Sequence, residues 1–146
     1  MDRIDRAIID ELESDGRLPN VTLADRVHLT PGPCLRRVQR LEAEGVILGY
    51  AARVDPAAVG RGFEVILEVS LARFDKATVQ RFEETMSAYD EVTELRRMFG
   101  TPDYYAKVAV ADQTAYEVFL TDRVMTLDGI ATVSSKFAMK VLKPAP

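Results

Sequence analysis

Apolar residues recur every three or four places along the first fifty positions, and from position 63 a two-residue alternation takes over between helical stretches. In DRIDRAIIDELESDGR, Ile4, Ala7, Ile8 and Leu12 fall on one helical face, and Ser14, Asp15 and Gly16 stop the run. NVTLADRV offers Asn20 or Thr22 as a cap, with Leu23 and Val27 four apart, which predicts a second helix of about two turns. HLT makes a very short turn. A third helix follows, capped by Thr30 and ended by Gly45 in a left-handed conformation.

From Val46 to Asp55 the pattern predicts an extended segment, and PAAVGRG carries a linker of small residues. The boundary is therefore placed so that residues 1–53 form a helical unit, 54–62 a linker and 63–146 a second domain. There FEVILEVSL alternates Phe63, Val65, Leu67, Val69 and Leu71 against Glu64, Glu68 and Ser70, while KATVQRFEETMSAY sets Val79, Phe82 and Met86 at helical spacing. VTELRRMF is extended. The order then repeats: DYYAKVAV as a strand, TAYEVFLTDRVM as a helix with Tyr116, Phe119, Leu120 and Val124 inward, and IATVSSKFAMKVL as a long final strand. Two such halves define an α+β chain whose second domain is a ferredoxin-like βαββαβ fold, four antiparallel strands with two helices on one face.

Composition narrows the chemistry. The 146 residues carry a net charge of −4, which argues against a protein coated in cations for blanket nucleic-acid binding but leaves room for a local basic face. One cysteine, Cys34, excludes an internal disulfide, and one histidine, His28, removes most metal and triad chemistries, so neither a metal nor a cofactor is expected. No apolar run is long enough to span a membrane, and the acidic, amphipathic start is unlike a signal peptide. The expectation is a cytoplasmic protein.

The third helix concentrates what positive charge there is. At about 100° per residue, Arg40 lies about 40° and Arg37 about 100° from Arg36, whereas Leu41, Cys34, Val38 and Leu35 occupy the opposite arc. Between Arg26 and Leu41 stand four arginines and no acid. Pro31 and Pro33 sit in the first turn, where a missing N–H costs little, so Thr30 is left to cap through the N–H of Gly32. Gly32 also clears side-chain bulk from the positive helix end. A short turn before a helix with an arginine face describes a helix-turn-helix, whose last helix enters the DNA major groove. Arg26, Thr30, Gly32, Pro33, Arg36, Arg37 and Arg40 are the candidate DNA contacts, on the expectation that the guanidinium groups point into solvent. Burial of that helix tip, or side chains locked in internal ion pairs, would undo the gene-regulator reading. The bland alternative is a solvated basic face on a helical hairpin.

Three stretches, DRIDRAIIDELESDGRLPNVTLADRV, LTPGPCLRRVQRLEAEGVILGY and FGTPDYYAKVAV, resemble the leucine-responsive and asparagine-regulator (Lrp/AsnC) family of prokaryotic transcription regulators in order and spacing over nearly the whole chain. The resemblance implies an N-terminal winged helix-turn-helix, a linking strand, and a C-terminal βαββαβ domain that binds effectors, usually amino acids. It also implies homodimers that assemble further, commonly into octamers. Two positions depart from the family pattern. His28 stands where glycine is usual, and Arg36 replaces what is often an acid.

The resemblance also brings FGTPDYY forward as a sensor loop, a stretch that otherwise reads as a hairpin turn. An amino acid needs an acceptor for its ammonium, here Asp103, and donors for its carboxylate, here the backbone of Gly100 and Thr101. Tyr104, Thr132 and Ser134 complete the expected effector set. Cys34 reads as a packed thiol, Met86, Met98, Met125 and Met139 as core or interface filler, and Glu83, Glu84, Asp90 and Glu91 as solvating charge. The expected function is a sequence-specific regulator that binds double-stranded DNA and senses an amino acid or related metabolite. The rivals are a small metabolic enzyme and a stand-alone sensor on the ferredoxin-like domain. Against the first, the chain offers little from which to assemble a catalytic site.

Overall fold

The computed structural model describes residues 1–143, which form two compact units dividing between Arg53 and Val54. The first unit contains α1 (Arg3–Ser14), α2 (Asn20–Arg26) and α3 (Pro31–Ala43). Its core is Ile8, Leu23, Ala24, Val27, Cys34 and Leu41, with Ile4, Ala7, Leu12 and Val38 packed around them. Leu35 is an exception on the apolar arc: it is 44% exposed.

The helix ends follow local chemistry. Asp2 and Asp5 form a reciprocal capping box at the start of α1, each carboxylate accepting the other's backbone N–H at 2.9 Å. Gly45 (φ 69°) ends α3 in a Schellman arrangement, with the Val46 N–H on the Leu41 carbonyl and the Gly45 N–H on that of Glu42. His28 adopts φ 57° in the turn between α2 and α3, the left-handed geometry that glycine would adopt without strain.

Three local expectations are corrected. Thr30 is the N-cap residue of α3 in an extended conformation, yet its side chain makes no capping hydrogen bond. Two of the first three helical residues are prolines, so Gly32 held the one available N–H. The start of α2 is set by Pro19, with Asn20 already helical and its Nδ2 donating to the Pro31 carbonyl at 2.9 Å, which ties the start of α2 to that of α3. Residues 46–55 form no hydrogen-bonded strand. Among the described residues no strand pairs with them; Ile47 packs on the helical core and the Tyr50 hydroxyl donates to Glu42 at 2.8 Å.

The second unit is a four-stranded antiparallel sheet in the order β2-β3-β1-β4, built from β1 (Phe63–Leu71), β2 (Val92–Arg97), β3 (Tyr104–Val110) and β4 (Ile130–Lys136). A single turn of 3-10 helix, Ala57–Val59, precedes it. Helix α4 (Lys76–Ser87) and helix α5 (Gln113–Phe119), the latter running into a π-helical turn at Leu120–Val124, cover one face. Asp75 caps α4 by accepting from the Thr78 N–H, and Asp112 caps α5 from that of Ala115. The covered face holds Val65, Leu67, Val69, Tyr104, Ala106 and Val108 against Phe82, Met86, Tyr116, Phe119 and Val124. This is the alternation expected of strands that bury one side. The last strand is shorter than its apolar pattern implied: pairing with β1 stops at Lys136, and Phe137 turns its ring toward Phe63 at 5.6 Å.

Gly129, just before β4, has φ 85° and accepts the Ala72 N–H through its carbonyl at 2.7 Å. A Cβ there would lie 2.6 Å from Thr78 Cγ2. Gly129→Ala is therefore expected to destabilise the protein by at least about 1–2 kcal/mol, the cost of the left-handed backbone alone. Chemical denaturation checks this, and an unchanged midpoint would contradict it.

Candidate functional site

The α2-turn-α3 element positions the first group of candidates. Thr30, Gly32, Arg36 and Arg40 are exposed along α3, Pro33 is half-buried, and Arg26 is exposed at the end of α2. The arginines nevertheless differ in state. Arg37 Nη1 donates to Asp2 Oδ2 and to Asp5 Oδ1, both at 2.7 Å, and Arg40 Nη2 contacts Asp5 Oδ2 at 2.7 Å. Arg26 is paired with Glu11 at 2.7 Å. Among the described residues, Arg36 alone of the four has no ion-pair or hydrogen-bond partner.

This corrects the picture of three equivalent solvent-facing guanidiniums. Asp5 is 1% exposed, and a carboxylate so deeply placed demands compensation, which the facing arginines of α3 supply. Arg37 and Arg40 thereby fasten α3 to α1, and their charge is largely neutralised. The uncompensated cation of α3 is Arg36, whose Nη1 sits 3.7 Å from where a Cβ on Gly32 would stand. The bare glycine keeps the helix start open beside it.

The sequence reading missed Asp2, Asp5 and Glu11 as partners of the arginines. Their signal was present in the Asp-x-x-Asp spacing at the start of α1, but the spacing alone does not show that α1 crosses α3. Cys34 is a packed thiol, fully buried, and burial pushes its pKa up rather than activating it.

The sensor candidates separate. Asp103 closes the β2-β3 connection: its carbonyl accepts the Met98 N–H, and its Oδ2 accepts the Leu71 N–H, both at 2.8 Å. One carboxylate oxygen is thus already committed to the backbone. Gly100 (φ 97°) and Thr101 are exposed in the same connection. Thr132 pairs with Ser70 and Ser134 with Glu68 on β1, so Asp103 and Thr132 both lie near the end of that strand, on opposite sides of it. Ser135 reaches the Tyr116 hydroxyl on the helical side and Lys136 bonds Glu68 on the other, which places Thr132 and Ser134 on the face without helices. Tyr104 points the opposite way. It is 1% exposed beneath α4, its hydroxyl donating to Glu83 at 2.8 Å, with burial first and Glu83 second pushing its pKa to about 12. Glu83 itself is not merely a solvating charge, since Arg97 also binds it. Among the described residues no group of three or more His, Cys, Asp or Glu could hold a metal ion, and no helix is long and apolar enough to cross a membrane.

Taken together, a helix-turn-helix unit followed by a ferredoxin-like unit defines a DNA-binding regulator with a ligand-binding domain. Residues 1–42 match the AsnC-type helix-turn-helix domain and residues 64–146 the Lrp/AsnC ligand binding domain, so the chain belongs to the Lrp/AsnC family of transcriptional regulators. It is 36% identical over 143 residues to the leucine-responsive regulatory proteins of Klebsiella pneumoniae and Escherichia coli K12, covering 98% of this chain and 87% of each of those. Among solved structures it is similar to a transcriptional regulator of Neisseria meningitidis in complex with L-Met (TM-score 0.92, 33% identity, covering 99% of this chain and 93% of that one). It is also similar to an AsnC family regulator of Agrobacterium tumefaciens (TM-score 0.90, 38% identity, covering 99% and 94%).

Asp5 makes the first unit sensitive to acid. The Asp2 N–H foremost, then Arg37 and Arg40, hold its carboxyl well below the ordinary carboxylate range against the opposing effect of burial. A depressed folded pKa stabilises the fold above the unfolded value of about 3.9 and loses that contribution as pH falls toward the folded value. The stability gap between wild type and Asp5→Asn should be full above about pH 5 and shrink steadily below about pH 4. Denaturation across pH measures it; a gap constant down to about pH 2 would contradict the assignment.

Proposed function

We propose that this regulator contacts operator DNA through the start of α3, with Arg36 as its principal free cation, and that its second unit responds to an amino acid. The observation that carries the DNA half is the contrast along α3: Arg36 has no internal partner among the described residues, whereas Arg37 and Arg40 are tied to Asp5. Thr30, Gly32 and Pro33 form the helix tip that approaches the phosphates, and Arg26 flanks it from α2. Arg37 and Arg40 serve chiefly to hold the helix, with their remaining N–H groups available to DNA.

An amino-acid effector is supported by the L-Met bound to the Neisseria meningitidis regulator. In this chain Gly100, Thr101 and Asp103 Oδ1, which accepts no hydrogen bond among the described residues, stand at the loop, and Thr132 and Ser134 lie on the helix-free face of the sheet. Tyr104 contributes from beneath as packing. The protein acts without catalysis, in the cytoplasm, where a regulator of genes meets DNA.

Assembly beyond the monomer is supported by exposed apolar side chains on the second unit, including Phe99, Phe137, Met139 and Leu142. A homodimer, and higher closed assemblies up to an octamer, would cover such surface. A two-fold dimer would set its recognition helices on half-sites about 34 Å apart or a multiple of that.

Fluorescence anisotropy on operator DNA over a range of salt tests the proposal. Arg36→Ala should weaken binding and flatten the dependence of log K on log salt by about 0.9 for each phosphate that is no longer neutralised. Arg37→Ala should cost more in thermal stability than in salt slope. An unaltered slope in Arg36→Ala, with full loss in Arg37→Ala at unchanged stability, would reverse the assignment.

A further inference from the structure

Helix α4 and strand β2 line two adjoining clefts, open to solvent, of about 410 and 340 Å³ that share Glu83 and Arg97 as walls. Both are within the range of small-molecule sites. Neither is lined by Gly100, Thr101, Asp103, Thr132 or Ser134. The larger adds Phe74, Lys76, Val79 and Gln80, and the smaller reaches the buried Tyr104 hydroxyl.

The wall between them is unevenly used. Arg97 places Nε at 2.6 Å and Nη2 at 2.5 Å from Glu83 Oε1, and the Tyr104 hydroxyl donates to the same oxygen at 2.8 Å. Three donors converge on Oε1, while among the described residues Oε2 accepts no hydrogen bond. The carboxylate is thereby locked in place by one oxygen and presents the other. Arg97 Nη1 and the Lys76 ammonium likewise have no partner among the described residues. Phe74, which lines the larger cleft, is 56% exposed.

We propose that this groove is an amino-acid site separate from the sensor loop, taking a neutral α-amino acid with an apolar side chain. The carboxylate sits between Lys76 and Arg97 Nη1, the ammonium is received by Glu83 Oε2, and the side chain lies on Phe74 and Val79. A plain anion would meet the uncommitted Glu83 oxygen, and a plain amine would meet two cations, so only a ligand carrying both charges matches the walls. The ligand class rests on the amino-acid reading given above; the place of binding does not.

Isothermal titration calorimetry on the full chain, with L-methionine and L-leucine as probes, tests this directly. The controls are 4-(methylthio)butanoate, which lacks the amine, and 3-(methylthio)propylamine, which lacks the carboxylate. Binding that requires both groups and is weakened at least tenfold, about 1.4 kcal/mol, by Lys76→Met or by Phe74→Ala is the expected result. Both substitutions lie on exposed positions outside the core, so the fold survives them. Binding untouched by both yet weakened by Thr132→Ala would overturn the groove and leave the amino-acid sensor standing at the loop. If none of the twenty amino acids binds the wild type at millimolar concentration, the sensor reading fails, and the groove with it.

Discussion

The first unit is organised around one carboxylate. Asp5 is buried, it caps the start of its own helix, and it faces two guanidiniums from another helix at 2.7 Å. A buried carboxylate stripped of its cations costs roughly 3–5 kcal/mol, so Arg37 and Arg40 tie α3 to α1 beside the apolar packing of Ile8, Cys34 and Leu41. The same bond decides how much of the positive face of α3 is free. Structure and charge presentation are one constraint here, since the arginines that hold the helix are largely spent as attractors of phosphate.

That constraint explains how an acidic protein can present a cationic helix tip. With Arg37 and Arg40 balanced by Asp2 and Asp5, and Arg26 by Glu11, the α3 cation left without a partner among the described residues is Arg36, beside the bare Gly32 at the helix start. The second unit uses the same device. Glu83 is pinned by Arg97 and Tyr104 through a single oxygen, which fixes its side chain while leaving polar capacity toward a cleft. In both units an internal ion pair orients a group and reduces its charge at once.

Most of the fold was legible in the residues because its periods are clean. Val65, Leu67 and Val69 alternate into the core, Val79, Phe82 and Met86 share a helix face, and Gly45 ends its helix as glycine does. His28 could be placed in a left-handed turn only through the resemblance to relatives with glycine there. Ladder lengths were not legible: Phe137 and Met139 continue the alternation of β4, yet its pairing ends at Lys136 opposite Ile66, although β1 itself begins at Phe63. Residues 46–55 read as extended but pair with no strand among the described residues. The arginines of α3 could be placed on one face from spacing alone, but their partners could not, since Asp2 and Asp5 meet them only through the crossing of α1 over α3. The sensor loop was recognised as a unit by resemblance. Strand alternation then sends Tyr104 to one face of the sheet and Thr132 and Ser134 to the other, a division that follows from register rather than motif.

A double-mutant cycle between Asp5→Asn and Arg37→Gln, read by equilibrium denaturation, tests most directly whether the buried carboxylate governs this unit. The account predicts a coupling free energy above about 1 kcal/mol, since each residue is the other's compensation. Additivity within about 0.3–0.5 kcal/mol would mean that the pair does not hold α1 to α3, and would contradict the account.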